Sequence, residues 1–151
     1  MKTVIIYAST HHENTKKIVE AMADCISADV VDIVRNKEVN LTNYDIIGFA
    51  SGVYFHTLHE SIKKFINEAT FDKKHKSFLV CTCGIGYRDY TKGVKKNLAE
   101  KGIPCIGSFQ CRGYDTFGFF DKIGGIAKGH PNDMDLKNAR NFVDNIIKSI
   151  Q

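Results

Sequence analysis

Five short runs dominated by β-branched and aromatic residues alternate along this chain with stretches of helical rhythm, and that alternation restricts the fold more than any other feature. The runs are residues 3–7 (TVIIY), 29–34 (DVVDIV), 45–50 (DIIGFA), 77–83 (SFLVCTC) and 105–111 (CIGSFQC). Residues 16–26, 59–69, 90–101 and 134–150 instead place apolar side chains three and four apart, as in Ile62, Phe65, Ile66 and Ala69. Strands separated by crossover helices pair in parallel, and the helices cover both faces of the sheet. The expectation is an α/β fold with a doubly wound, five-stranded parallel sheet in the order 2-1-3-4-5. Residues 77–83 are nearly continuous in apolar character, as a central parallel strand should be. Residues 35–44 are polar and too few for a well-formed helix, so the second crossover is expected to be abbreviated.

In that strand order a ligand binds where the order reverses, beyond the carboxyl ends of the first and third strands. Three loops meet there, residues 9–15, 51–56 and 83–89, and the tail 112–117 is expected to reach their rim. The first loop opens a helix, whose leading amides lack intrahelical partners and whose dipole favours negative charge. Ser9, Thr10, Asn14 and Thr15 add short donors, so the turn reads as a phosphate cradle. It has neither the GxxxxGK[ST] of a Walker loop nor the GxGxxG of a dinucleotide loop. Ala8-Ser9 and Ala50-Ser51 stand where a receiver domain carries carboxylates, and the cysteine and arginine of a small tyrosine phosphatase are missing. Hydroxyls and amides without lysine or metal suit a phosphate monoester that is held, not transferred. Glu13 would repel that group, so its side chain is expected to face solvent. His11 and His12 are adjacent on a loop and do not converge on a metal.

The length of 151 residues fits one domain, residues 1–151. No apolar run is long enough to span a bilayer, and the chain runs straight into a strand without a signal peptide, so a cytoplasmic protein is expected. The net charge of +4 is spread over several elements without a basic stripe interleaved with aromatics, which argues against nucleic-acid binding. No coiled-coil pattern points to assembly, and a monomer is expected. Five cysteines, an odd number, argue against a disulfide framework; Cys81 and Cys83 fall on one side of their strand and read as core thiols. Residues 112–131, rich in glycine and aromatics, lack periodicity and are expected to form an ordered functional loop.

Tyr7-Ala8-Ser9-Thr10 and Asn14-Thr15 resemble the two ends of the YxSxTGNT loop of the flavodoxin family. Between them His11-His12-Glu13 is one residue longer than the usual form, with Glu13 where glycine is common. The order of elements extends the resemblance over most of the chain. It implies flavin mononucleotide (FMN) as cofactor, with Ser9, Thr10, His11, His12, Asn14 and Thr15 around its phosphate. It further implies a second flavin loop at Ser51, Gly52, Val53, Tyr54 and Phe55, and a third at Thr82, Cys83, Gly84, Gly86 and Tyr87. Tyr54 and Tyr87 would flank the ring, and the Gly52-Val53 peptide could turn its carbonyl toward the reduced cofactor. No loop carries a nucleophile with its base, paired carboxylates or a metal quartet, so the chemistry would belong to the cofactor and no catalytic side chain is assigned. The resemblance implies an electron carrier between redox partner proteins, a reductase and an acceptor. The alternative is an FMN-dependent oxidoreductase of the same fold, such as a quinone reductase or protoporphyrinogen oxidase. The basic charge and the aromatic stretch 114–120 favour that alternative, and a flavin-free binding module is the third class.

Overall fold

The computed structural model describes residues 1–10, 12–86, 88–116 and 119–151. Its strands are β1 (Thr3–Ala8), β2 (Asp29–Asp32), β3 (Ile46–Tyr54), β4 (Thr57–Leu58), β5 (Lys76–Cys83) and β6 (Cys105–Arg112). The helices are α1 (Asn14–Ile26), α2 (Glu60–Glu68), α3 (Lys92–Glu100), α4 (Phe119–Lys122) and α5 (Asp133–Ser149). The sheet runs β2-β1-β3-β5-β6 with every neighbouring pair parallel, and the two-residue β4 pairs antiparallel with β3. With β4 set aside, this is the order expected from the alternation.

Alternate side chains of each strand feed two cores. Val4, Ile6, Phe49 and Leu79 pack with Ile62 and Ile66 of α2 and Val94 and Leu98 of α3. Ile5, Phe78 and Val80 pack with Ile18 and Met22 of α1 and Val143 and Ile146 of α5 on the other face. The central strands β1 and β5 are buried almost throughout, which accounts for their continuous apolar character. No helix forms over residues 35–44, so the crossover from β2 to β3 is abbreviated as expected.

Two departures bear on the site. The third strand continues four residues beyond its expected end, because Val53 pairs with Leu58 and Tyr54 with Thr57 in a hairpin. Its two-residue turn holds Phe55 (φ 50°) and His56 (φ 66°) in the left-handed region, where glycine or asparagine is usual. Each costs about 1–2 kcal/mol that the flanking pairs must offset. In addition, residues 112–131 contain α4 and close on themselves: the Asp115 amide donates to the Ile126 carbonyl (3.0 Å) and Ile126 returns the bond (2.8 Å). Helix α5 starts one residue earlier than expected, with Asn132 and Asp135 forming a reciprocal capping box.

None of the five cysteines is bonded to another. Cys81, Cys83 and Cys111 are buried and Cys25 is exposed. Burial pushes the Cys111 thiol up to about 12, so it stays protonated and unreactive at mildly alkaline pH. Alkylation with iodoacetamide in mild alkali is expected to modify Cys25 rapidly and Cys111 only on unfolding, as peptide mass mapping would show. Equal rates at the two thiols would contradict this packing.

Candidate functional site

At the carboxyl edge of the sheet, the ends of β1, β3, β5 and β6 surround a cleft of about 600 Å3, its open mouth included. Ser9, Thr10, Asn14 and Thr15 form its head; Gly52 to Phe55, Thr82 to Gly84 and Gly113 to Asp115 form its walls.

The head has a backbone geometry that can accept an anion. His12 and Glu13 are both left-handed (φ 53°), and Glu13 leads directly into the right-handed first turn of α1. A left-to-right reversal of this kind turns successive amides into one concavity. The Glu13 side chain makes no cap hydrogen bond, the first turn of α1 holds no acid, and the amides of Asn14 and Thr15 have no partner among the described residues. The positive end of the helix dipole therefore opens into the cleft. Glu13 points outward, with its side chain 68% exposed and 3.8 Å from Lys16, as its repulsion of an anion requires.

The side chains around this turn also link it to neighbouring segments. Thr15 Oγ1 lies 2.9 Å from Thr82 Oγ1 at the end of β5. Asn14 Nδ2 donates to the Tyr114 carbonyl (2.8 Å), tying α1 to the segment after β6. Ser9 Oγ accepts from the Lys16 amide at 3.4 Å. The Thr10 and Tyr54 hydroxyls hydrogen bond to each other, joining the first loop to the β3–β4 hairpin. His12 sits at the rim, its ring 4.4 Å from that of Tyr114 and its Nε2 2.9 Å from Thr116 Oγ1. The donors left for an anion are backbone amides, with hydroxyls that can reorient.

On the hairpin wall, Ser51 is fully buried behind the cleft. It donates to the Gly52 carbonyl (2.7 Å) and accepts from the His59 amide (2.9 Å). Turning the Gly52 carbonyl into the cleft therefore means giving up the Ser51 bond. The Tyr54 ring meets His59 edge-on at 4.9 Å, and Phe55 stands on the lip, 84% exposed. At the end of β5, the Gly84 carbonyl accepts two bonds from Arg112, from Nε (2.9 Å) and Nη2 (2.6 Å). A Cβ on Gly84 would stand 2.6 Å from Asp115 Oδ2 and 2.8 Å from Ile126 Cδ1, so only glycine fits beneath the closed 112–131 segment. The Cys83 thiol is held below its usual value by a hydrogen bond with Cys81 and by the Arg112 charge, and Cys81 is raised by the same bond and by burial. Gly86 lies outside the cleft, in a shallow depression with Gln110 and Arg112. His11 and Tyr87 fall outside the described residues.

Gly113, Tyr114 and Asp115 line the cleft but were not among the expected site residues. Their signal was the expectation that the tail of the last strand reaches the rim. A Cβ on Gly113 would meet Asn14 Nδ2 at 2.7 Å, so this glycine admits the close approach to α1. Convergent amides at the head, glycine backbone along the walls and the Tyr54 ring suit a phosphate monoester attached to a flat ring. Among the described residues no cluster of His, Cys, Asp or Glu could hold a metal, and no helix is long and apolar enough to cross a membrane.

The flavodoxin domain profile matches residues 4–124, and the chain belongs to that family. An uncharacterized protein of Methanocaldococcus jannaschii is 40% identical over 151 residues, covering 99% of this chain and 100% of that one. Among solved structures, a flavodoxin from the domain Archaea is similar with a TM-score of 0.72 at 17% identity, covering 99% of each chain. An NADH:FMN oxidoreductase in its apo form matches with a TM-score of 0.66 at 14% identity, over 99% of this chain and 90% of that one. The general stress protein 14 of Treponema denticola, in complex with FMN, matches at 0.64 and 10% identity, over 97% and 99%. At these identities the structural likeness is one of fold.

Proposed function

We propose that the cleft binds FMN and that the chain carries single electrons between redox partner proteins. The observation that carries this reading is the acid-free start of α1, whose Asn14 and Thr15 amides have no partner among the described residues and which opens at the head of the cleft. A flavin bound there supplies the redox chemistry. The chain's part is to hold and enclose it. The amides of Asn14 and Thr15 take the phosphate, Tyr54 covers the ring, and the Thr10–Tyr54 bond fixes the distance between head and wall. The Gly52 carbonyl, which now accepts from Ser51, would be the wall's backbone acceptor for the ring if that bond were given up.

A carrier is favoured over a self-sufficient enzyme because the described lining holds no histidine or lysine and Asp115 as its one carboxylate. An oxidoreductase remains the second reading, supported by Tyr114 and Asp115 at the mouth, where a substrate would enter. In the carrier reading the chain works as a cytoplasmic monomer with a reductase and an acceptor as partners.

Anaerobic reductive titration of the FMN-loaded protein tests both readings. A carrier takes up electrons in two resolved one-electron steps and turns over neither NADH nor NADPH with a quinone. Direct nicotinamide turnover would establish the enzyme, and protein that stays colourless when offered FMN would end both readings.

A further inference from the structure

Beside the cleft mouth stand exposed apolar side chains, and the chain that follows the Gly84 wall runs into a cluster of cations. Phe55, 84% exposed on a left-handed turn, is an apolar residue held outward against its own backbone preference. Ile85, 40% exposed, follows Gly84 on the opposite wall. Helix α3 packs against β4, the return strand of the Phe55 hairpin.

That helix is charged against its own dipole. Its sequence KGVKKNLAE begins with Lys92 and holds no acid in its first turn, and the Thr91 side chain makes no cap hydrogen bond. Cations at a helix N-terminus are unfavourable. Residues 88–96 carry four cations and one carboxylate, Asp89. Lys95 lies 3.1 Å from Asp89, whose carboxylate also accepts from the Thr91 amide and hydroxyl. Lys92 and Lys96 are exposed and have no ion pair among the described residues.

We propose that this lip docks a redox protein whose contact face is acidic, an inference that rests on the carrier reading above. Phe55 and Ile85 form the apolar centre that excludes water at the cleft mouth, and Arg88, Lys92 and Lys96 steer a carboxylate-rich face onto it. A basic partner would be repelled by the same charges.

The test uses two probes, a plant-type ferredoxin as the acidic face and cytochrome c as the basic one. The FMN-loaded protein binds ferredoxin in a titration calorimeter, and its Kd rises about tenfold from low to physiological salt. Lys92→Glu/Lys96→Glu weakens that binding about tenfold, strengthens binding of cytochrome c and leaves FMN affinity unchanged. Carbodiimide coupling of the unaltered protein to ferredoxin joins the partner's carboxylates to Lys92 or Lys96. Equal ferredoxin affinity in wild type and variant, tighter binding of cytochrome c by the wild type, or coupling confined to α2 or α5 would overturn the proposal. These measurements need no electron transfer, so they judge the docking face separately from the titration that judges the flavin.

Discussion

Ser9→Asp is expected to weaken FMN binding by about a hundredfold while leaving the fold at least as stable. Ser9 Oγ already accepts from the Lys16 amide, the donor that a carboxylate at this position would also take. An anion beside the start of α1 complements the helix dipole, adding about 0.3–1 kcal/mol to stability. The same charge would stand beside the phosphate of the bound cofactor. At about 4 Å and an effective dielectric near 20, repulsion between unit charges amounts to about 4 kcal/mol, and the open mouth trims this to about 3. Each 1.4 kcal/mol is about tenfold in affinity. Riboflavin, which has the ring but no phosphate, is the control: its affinity should change little. If both ligands weaken alike, or FMN does not weaken, the phosphate is not at this helix.

The second large effect lies in the core. Gly48 of β3 is the register partner of Phe78 of β5, and the Phe78 ring lies directly over it. A Cβ on Gly48 would stand 2.5 Å from Phe78 Cζ and 2.7 Å from Cε2. The ring is fully buried and has no free space to retreat into, since Phe142 of α5 meets it edge-on at 6.2 Å and is itself 5.6 Å from Phe109. Phe78→Ala is expected to cost about 3–5 kcal/mol. At this chain length that lowers the Tm by about 6–20 °C. Gly48→Val alone costs about 1–3 kcal/mol by overpacking. In the Phe78→Ala background the valine enters vacated space, so the double variant should be more stable than the summed single effects imply, by about 0.5–3 kcal/mol. Urea denaturation of the four proteins closes the cycle, and strict additivity would show that ring and glycine do not share this space.

The sheet order and the strand–turn–helix of residues 3–15 were legible because both depend on local pattern. Residues 3–15 carry the strand, the turn and the start of α1 within one short stretch. What lay hidden depends on partners distant in sequence. Thr15 meets Thr82, 67 positions away, and Asn14 meets Tyr114, 100 positions away, so residue type alone could not say that these side chains brace loops. The extension of β3 was missed because its turn, Phe55-His56, lacks the glycine or asparagine that marks a hairpin; the cross-strand pairs Val53–Leu58 and Tyr54–Thr57 impose it. The segment 112–131 gave no period to read, and its described residues are held by the Asp115–Ile126 bridge and by Gly113 seated on Asn14. The start of α5 was within reach, since Asn132 and Asp135 have the spacing of a capping box.

The hairpin carrying Phe55 is a short lever braced on both sides, its β3 strand paired with β1 and β5 below and with β4 at its tip. An anchor already frozen in place loses little freedom when something settles on it, so orientation can be enforced by a contact of small area. Small area also means rapid departure. If the chain carries electrons as proposed, it must meet one partner, release it and find the next, and that combination would serve it: charge to hasten arrival, a stiff apolar tip to set the angle, and a small contact that lets go.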